Sequence, residues 1–261
     1  MRSFTVFVFF TLFVIAMDLY AYRGIHHLLG MIPQGYGLFT WIFWGLSLAM
    51  LASLVWAGTQ FQKMRDPSLF FGVMVVMGIF LMLYVPKLFF NAIQLIGDLT
   101  QLMVSLFNDR PLPIRKWFLI PGAVIGLLLF LGFGLGMLRG RTNVKVFSEE
   151  VKIDGLPYEF NGLRIIQLSD LHLAGFYNRP DHIRHVVERV NSLEPDLILF
   201  TGDMVHNFSD ELDPFTGILE GLRAPLGKFA VLGNHDYGHY YKWESDSEEQ
   251  ANLDRVKEQI R

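Results

Sequence analysis

The sequence has no cysteine in its 261 residues. That excludes a disulfide scaffold, a cysteine-based zinc finger and a thiol nucleophile. Charge is scarce too: Asp, Glu, Lys and Arg make up 18% of the chain, against about 25% in an ordinary soluble protein. The scarcity is uneven. Residues 1–138 hold 8 Lys and Arg with 4 Asp and Glu, whereas residues 139–261 hold 14 and 21. The first part is sparse and basic and the second dense and acidic, so the two are suited to different solvents. A hydrophobic content of 52%, with 24 Phe, excludes disorder, collagen and coiled coil. There is no glycine-rich phosphate loop and no basic stripe, and the acidity of the second part argues against a nucleic-acid partner.

Four apolar runs occupy the first part: Ser3–Met17, which continues past Asp18 to Tyr22, then Leu38–Gly58, Pro67–Pro86 and Trp117–Leu138. About 20 apolar residues cross the hydrocarbon core as a helix, and in lipid a lone segment satisfies its backbone only as a helix. Residues 1–140 therefore read as a membrane domain of four spans, with the lipid bilayer as partner. The first run lacks a small-residue cleavage site before Arg23 and reads as an uncleaved span rather than a signal peptide. Trp41, Trp44, Trp56 and Trp117 fall near span ends, as interfacial aromatics do.

Lys and Arg near the span ends set the orientation. Arg2, Lys63, Arg65, Arg139, Arg141 and Lys145 lie on one side, and Arg23, Arg110, Arg115 and Lys116 on the other. Six against four places both ends of the chain in the cytoplasm. Lys87, Asn91, Gln94, Asp98 and Gln101 recur at helical spacing. Two arrangements fit this polar stripe: a helix lying along the interface and guiding a lipid-like substrate, or a longer third span with the stripe inside the bundle. Asp18, near a span end, can reach water or Arg23. Gly122/Gly126 and Gly132/Gly136 form two small-xxx-small pairs suited to helix packing.

From residue 141 the pattern changes. Asn143–Phe147 and Glu150–Ile153 alternate as strands do, then turn at Asp154-Gly155. Leu163–Leu168 is an apolar strand ending in Ser169-Asp170-Leu171-His172. A helix opens at Pro180 with Asp181, carries an apolar face of Ile183, Val186, Val187, Val190 and Leu193, and stops by Pro195. Asp196–Phe200 is a second strand, ending in Thr201-Gly202-Asp203. Pro214–Leu222 is a second helix. Lys228–Leu232 is a third strand, ending in Gly233-Asn234-His235-Asp236. Strands alternating with helices imply a mainly parallel sheet, whose ligands gather at the carboxyl ends of the strands. Asp170, His172, Asp203, Asn234 and His235 are thereby expected at one edge. Their carboxylate, imidazole and amide donors suit divalent metals.

These residues resemble a known family. Asp170-x-His172, Gly202-Asp203 and Gly233-Asn234-His235-Asp236, each just after an apolar strand and about 30 residues apart, are similar to the motifs of the calcineurin-like metallophosphoesterases. The lead-in Leu156-Pro157, Phe160-x-Gly162-Leu163-Arg164-Ile165 and Ser169-Asp170-Leu171-His172 resembles the membrane-anchored branch, the transmembrane proteins with a metallophosphoesterase domain. The resemblance covers about residues 144–237. It implies that residues 141–261 form a C-terminally incomplete α/β metallophosphoesterase domain, a β-sandwich-like core with flanking helices. It also implies two divalent ions (Mn, Fe and Zn not being distinguishable). Asp170 and His172 would hold the first ion, Asp203 would bridge, and Asn234 would hold the second. His235 would be catalytic beside the ions, and Asp236 would orient His235 or its loop.

The implied activity is hydrolysis of a phosphodiester or pyrophosphate bond in a phosphorylated, lipid-linked substrate, with UDP-2,3-diacylglucosamine of lipid A synthesis as the sharpest guess. A nucleotide phosphodiesterase and a non-catalytic membrane sensor or scaffold are the alternatives. His182 and His185 lie together on a helix side without an evident third ligand. His206 and His239 sit near the motifs and could touch substrate. The family resembles itself further on in a Gly-His-x-His motif, which residues 240–261 lack. Leu253–Ile260 reads as an unfinished helix. The sequence is therefore expected to be an N-terminal piece of a longer enzyme and inactive alone.

Overall fold

The computed structural model describes residues 2–30, 36–60, 65–107 and 114–261. Lys63 and Arg110, two of the residues that set the expected orientation, lie outside these. The chain forms two compact units, one of residues 1–61 with 75–141 and one of residues 62–74 with 142–261.

The first unit is built from four helices: α1 (Arg2–Leu29), α2 (Tyr36–Gln60), α3 (Pro67–Ser105) and α4 (Ile114–Arg139). The first residues of α3 belong to the second unit. All four helices are long and apolar enough to cross a membrane. Asp66 caps α3. Its carboxylate accepts from the Ser68 hydroxyl at 2.6 Å and N–H at 2.8 Å, and these bonds hold the carboxyl below its usual range. The outer faces stay apolar and uncovered, with Trp41, Leu48 and Leu128 exposed. An exposed apolar surface of this extent is what lipid contact requires. Inside, Val14, Met17, Met50 and Tyr84 form one cluster, and Ala21, Phe43, Phe90 and Leu119 a second.

The polar stripe lies inside the bundle, so the interfacial arrangement is ruled out. Helix α3 runs unbroken through Pro86 for 39 residues and turns the stripe toward α1. Tyr84 Oη and Lys87 Nζ donate to the two oxygens of Asp18, at 2.8 and 2.6 Å. Asn91 donates to the Met17 carbonyl at 3.0 Å and Gln94 to the Tyr20 carbonyl at 3.2 Å. Asp18 is thus buried and paired with Lys87, not with water or Arg23, which instead binds Asp98. A carboxylate at this depth needs a cation with little hydration left to lose. Lys87 supplies it while resting over the Tyr84 ring, 4.3 Å from its centroid. Of the two small-residue pairs, Gly122/Gly126 packs inside the unit. A Cβ on Gly122 would lie 3.3 Å from Phe90, and one on Gly126 3.5 Å from the Pro86 carbonyl. Gly132 and Gly136 would meet nothing within 4 Å.

The second unit is a small α/β layer. Strands β1 (Ile165–Leu168), β2 (Leu197–Phe200) and β3 (Lys228–Ala230) pair in that order, all parallel. The register sets Leu168 opposite Phe200, and Phe200 opposite Ala230. Helix α5 (Pro180–Asn191) links β1 to β2; its Ile183, Val187 and Val190 are buried. The link to β3 carries a 3-10 turn (Ser209–Glu211) and the short α6 (Thr216–Leu219), where a helix over Pro214–Leu222 had been expected. Helix α7 (Asp246–Ile260) begins at Ser245, whose hydroxyl accepts from the Glu248 N–H, and so starts well before Leu253. Leu173, Ile183, Phe200, Phe215 and Val256 centre the core.

One expectation fails here. Residues 143–153 form no strand, although they alternate. Phe147 and Val151 are largely exposed, and alternation without a partner ladder does not hold a strand. The described residues otherwise give the expected fold class, four long helices followed by a parallel sheet with flanking helices, here as one three-stranded sheet.

Candidate metal centre

The three strand ends carry the site. Beyond β1 and β2 the chains stay bonded: Asp170 N–H donates to the Gly202 carbonyl at 3.0 Å, and His172 N–H to the Asp203 carbonyl at 3.1 Å. The two loops therefore travel side by side. Gly202 has φ of 102°, and a Cβ there would lie 2.3 Å from the Gly233 nitrogen. A Cβ on Gly233 would lie 2.3 Å from Asp203 Oδ1. Glycine is required at both positions for the second and third loops to touch.

Four non-glycine residues have positive φ among the described residues: Asp170 (55°), His172 (44°), Glu194 (50°) and Asp203 (60°). Three of these are the expected metal ligands. Left-handed backbone costs on the order of 1–3 kcal/mol per residue and collects where surrounding structure forces it, commonly at functional sites. The forcing groups are visible. Asp236 is fully buried. One oxygen accepts from Met204 and Val205 N–H at 2.8 and 3.1 Å, the other from Asp203 and Gly233 N–H at 2.8 and 2.9 Å. Asp236 is thus a clamp between two loops. Its carboxylate serves backbone and does not reach the His235 ring by any of these bonds.

Within this frame His172, Asp203 and His235 each offer a ligand atom, all within 4.8 Å of one another. His172 Nε2 stands 3.9 Å from Asp170 Oδ1 and 4.0 Å from Asp203 Oδ2. Those distances are too long for hydrogen bonds. They do suit donors sharing one ion, since ligand bonds of about 2.0–2.2 Å allow separations up to about 4 Å. Burial, and then the neighbouring His206 and His235, lower the His172 pKa below the usual imidazole range. The shift favours the neutral ring, the form that binds metal. The donor set fits a divalent cation.

His235 is oriented by backbone. Its N–H donates to Asp203 Oδ1 at 2.9 Å, and its Nδ1 lies 2.9 Å from the His206 carbonyl. A carbonyl only accepts, so Nδ1 carries the hydrogen and Nε2 is left free for chemistry. Asn234 Nδ2 donates to Tyr240 Oη at 2.8 Å, which occupies the amide's donor side and leaves Oδ1 available as an acceptor. Tyr240 also stacks on His235, with centroids 4.5 Å apart.

His206 belongs to the cluster, its ring 4.6 Å from that of His172 and 4.5 Å from Phe70. His239 is turned away and binds Glu249 at 2.7 Å. His182 stacks on Phe176 and, like His185, stands apart from the metal cluster. Two residues escaped the sequence reading. Glu211 is buried and accepts from the N–H groups of His206, Asn207 and Phe208 at 2.7–3.0 Å. Tyr240 is the other. Neither has a motif signal, because each acts across a loop whose path the sequence does not reveal.

A parallel sheet with carboxylate and imidazole donors at its strand ends is suited to holding a divalent metal. The chain belongs to the four-transmembrane calcineurin-like phosphoesterases. The family described as "Probable Calcineurin-like phosphoesterase, transmembrane domain" matches residues 1–141, and "Calcineurin-like phosphoesterase" matches residues 163–259. The protein is an integral membrane protein.

Relatives agree with this assignment. An uncharacterized metallophosphoesterase, YkuE, of Bacillus subtilis is 34% identical over 111 residues, covering 42% of this chain and 38% of that protein. The UDP-2,3-diacylglucosamine pyrophosphatase LpxG of Chlamydia trachomatis is 46% identical over 90 residues, covering 33% and 27%. A transmembrane protein with metallophosphoesterase domain of Danio rerio is 32% identical over 102 residues, covering 39% and 23%. The chain thus spans between 23% and 38% of the length of these relatives. No solved structure matches.

Proposed function

We propose that this protein hydrolyses a phosphoester or pyrophosphate bond in a lipid-linked substrate, using two divalent ions. The observation that carries the reading is the convergence of His172, Asp203 and His235 beside strained loops at three parallel strand ends. When bound, such ions neutralise phosphoryl oxygens and lower the pKa of water near neutral. Asp170 and His172 would hold the first ion, Asp203 would serve both, and Asn234 Oδ1 would hold the second. His235 would turn Nε2 toward the phosphoryl group or leaving oxygen; with Nδ1 carrying the hydrogen, Nε2 accepts a proton or hydrogen bond first and acts as donor or general acid only from the imidazolium form. Asp236 fixes the loops that set these positions. His206 lines the same cluster and is placed to touch a substrate oxygen.

The substrate reading rests on two supports. One is the likeness to the Chlamydia pyrophosphatase over the motif-bearing segment. The other is the membrane anchor, which a water-soluble substrate would not need. UDP-2,3-diacylglucosamine is the substrate proposed. The Lys and Arg distribution supports the cytoplasm as the side of the second unit; a reporter fused after Arg141 that works only when exported would overturn that side.

The test is turnover by the intact enzyme with Mn²⁺. UDP-diacylglucosamine should be hydrolysed well above UDP-glucose or bis-nitrophenyl phosphate. Equal rates on all three would favour a nucleotide phosphodiesterase. Asp203→Asn removes the anionic bridge and should abolish metal-dependent turnover; unchanged turnover would remove the two-ion reading.

A further inference from the structure

We propose that the end of the membrane unit where α1, α3 and α4 meet binds the phosphate head group of an anionic phospholipid, through Arg23, Arg115 and Lys116. The proposal is independent of the reaction assigned above.

The argument begins with charge. Asp98 of α3 accepts from Tyr20 Oη and Arg23 Nη2, both at 2.9 Å, and forms an ion pair with Arg115, whose Nε lies 2.6 Å away. One carboxylate therefore faces two guanidinium groups. Lys116, exposed one residue further on, has no ion-pair partner among the described residues. The other acid among the described residues of this unit, Asp18, is already bound to Lys87. The corner thus carries two positive charges that no described carboxylate of the unit neutralises.

The donors have the right chemistry. Asp98 uses one edge of each guanidinium, and the Arg23 side chain is 52% exposed. A guanidinium presents five N–H donors in a planar fork that matches phosphate oxygens. Asp98 also holds both forks in place, so binding costs little side-chain ordering.

The surroundings select lipid over free phosphate. Leu95 and Leu99 on α3, and Trp117 and Ile120 on α4, are each at least half exposed beside the cations. Acyl chains cover such a ridge, and inorganic phosphate does not. A zwitterionic head group carries its own cation and cannot neutralise the surplus, so the site takes an anionic lipid. In the orientation proposed above this corner faces away from the cytoplasm, so the lipid is one of that leaflet, drawn by the same attraction between clustered basic side chains and acidic head groups.

The experiment uses the full chain in neutral detergent, with lipid retention counted by native mass spectrometry and thermal stability followed in parallel. Phosphatidylglycerol should be retained at least about fivefold more than phosphatidylcholine, with the preference shrinking as salt rises. Lys116→Gln changes an exposed side chain, removes one of the two surplus charges and should cut the preference by about twofold. Arg23→Gln should add to that loss, and Arg23→Lys should restore part of it. Equal retention of the two lipids, or an unchanged preference in Lys116→Gln, would overturn the proposal. Inorganic phosphate displacing phosphatidylglycerol at equal concentration would overturn the choice of lipid as occupant.

Discussion

The two units bury carboxylates by opposite means. In the membrane unit Asp18 and Asp98 bind side chains, Tyr84, Lys87, Tyr20, Arg23 and Arg115. In the soluble unit Asp236 and Glu211 bind backbone, seven N–H groups between them. The cause is the secondary structure around each. A helix in lipid satisfies its own backbone, so a carboxylate there finds only side chains to bind. Loops beyond a three-stranded sheet leave N–H groups without carbonyl partners, and a buried carboxylate collects them. The same residue type is a strut between helices in one unit and a hub for loops in the other.

Asp236→Ala tests the hub most severely. Four N–H groups, three of them in buried bonds, lose their acceptor, at about 1–3 kcal/mol for each buried one. The unfolding transition of the soluble unit should fall by about 4 kcal/mol or more, and Mn²⁺ binding should vanish with it. Asp236→Asn retains a single acceptor oxygen and should be intermediate. Denaturant titration followed by tryptophan fluorescence reads both, since Trp243 lies in this unit and donates to Gly238 at 2.8 Å. Wild-type stability in Asp236→Ala would refute the clamp.

The strut predicts a different pattern. Lys87→Met strands a buried Asp18 and should cost about 3 kcal/mol. Adding Asp18→Leu should recover most of that loss, because replacing both members of a buried pair with apolar groups is often neutral. Thermal melts in detergent check the pair. A double variant no better than Lys87→Met alone would show that the pair stabilises beyond its own desolvation cost, and would sharpen its claim to a functional role.

The smallest effect is expected at Tyr240. Tyr240→Phe keeps the ring stacked on His235 and removes only the oxygen that fixes the Asn234 amide. A lost hydrogen bond of about 1 kcal/mol corresponds to roughly fivefold weaker binding of the second ion. Mn²⁺ calorimetry should show that weakening with the first ion unchanged. Identical isotherms would mean that Asn234 needs no such partner.

Much of this was legible in the sequence. Long apolar runs reveal spans because lipid offers the backbone no alternative to a helix. The parallel strands and their terminal motifs were legible because fully buried strands are short apolar runs closed by turn residues. Periodicity, however, reports a face and not what covers it. The Lys87–Gln101 stripe could be assigned to water or to a neighbouring helix only once α1 was seen against it. The alternation in residues 143–153 failed for the same reason, having no ladder to join. Least legible were the left-handed dihedrals at Asp170, His172 and Asp203. They arise from contacts between loops more than 30 residues apart, which composition does not encode.

Those dihedrals set stability against chemistry at particular codons. Asp170 is well exposed, with its side chain 65% accessible, so Asp170→Gly sacrifices little packing. Glycine is at ease at positive φ. The replacement should therefore leave the metal-free protein as stable as before, or melting slightly higher, while deleting a donor. His172→Gly relieves a larger steric conflict, against the loss of ring contacts. A population selected only to survive heat would drift toward glycine at Asp170 and lose its metal without any warning from the fold. Persistence of aspartate there under heat selection would mean that the cation itself holds the loops together.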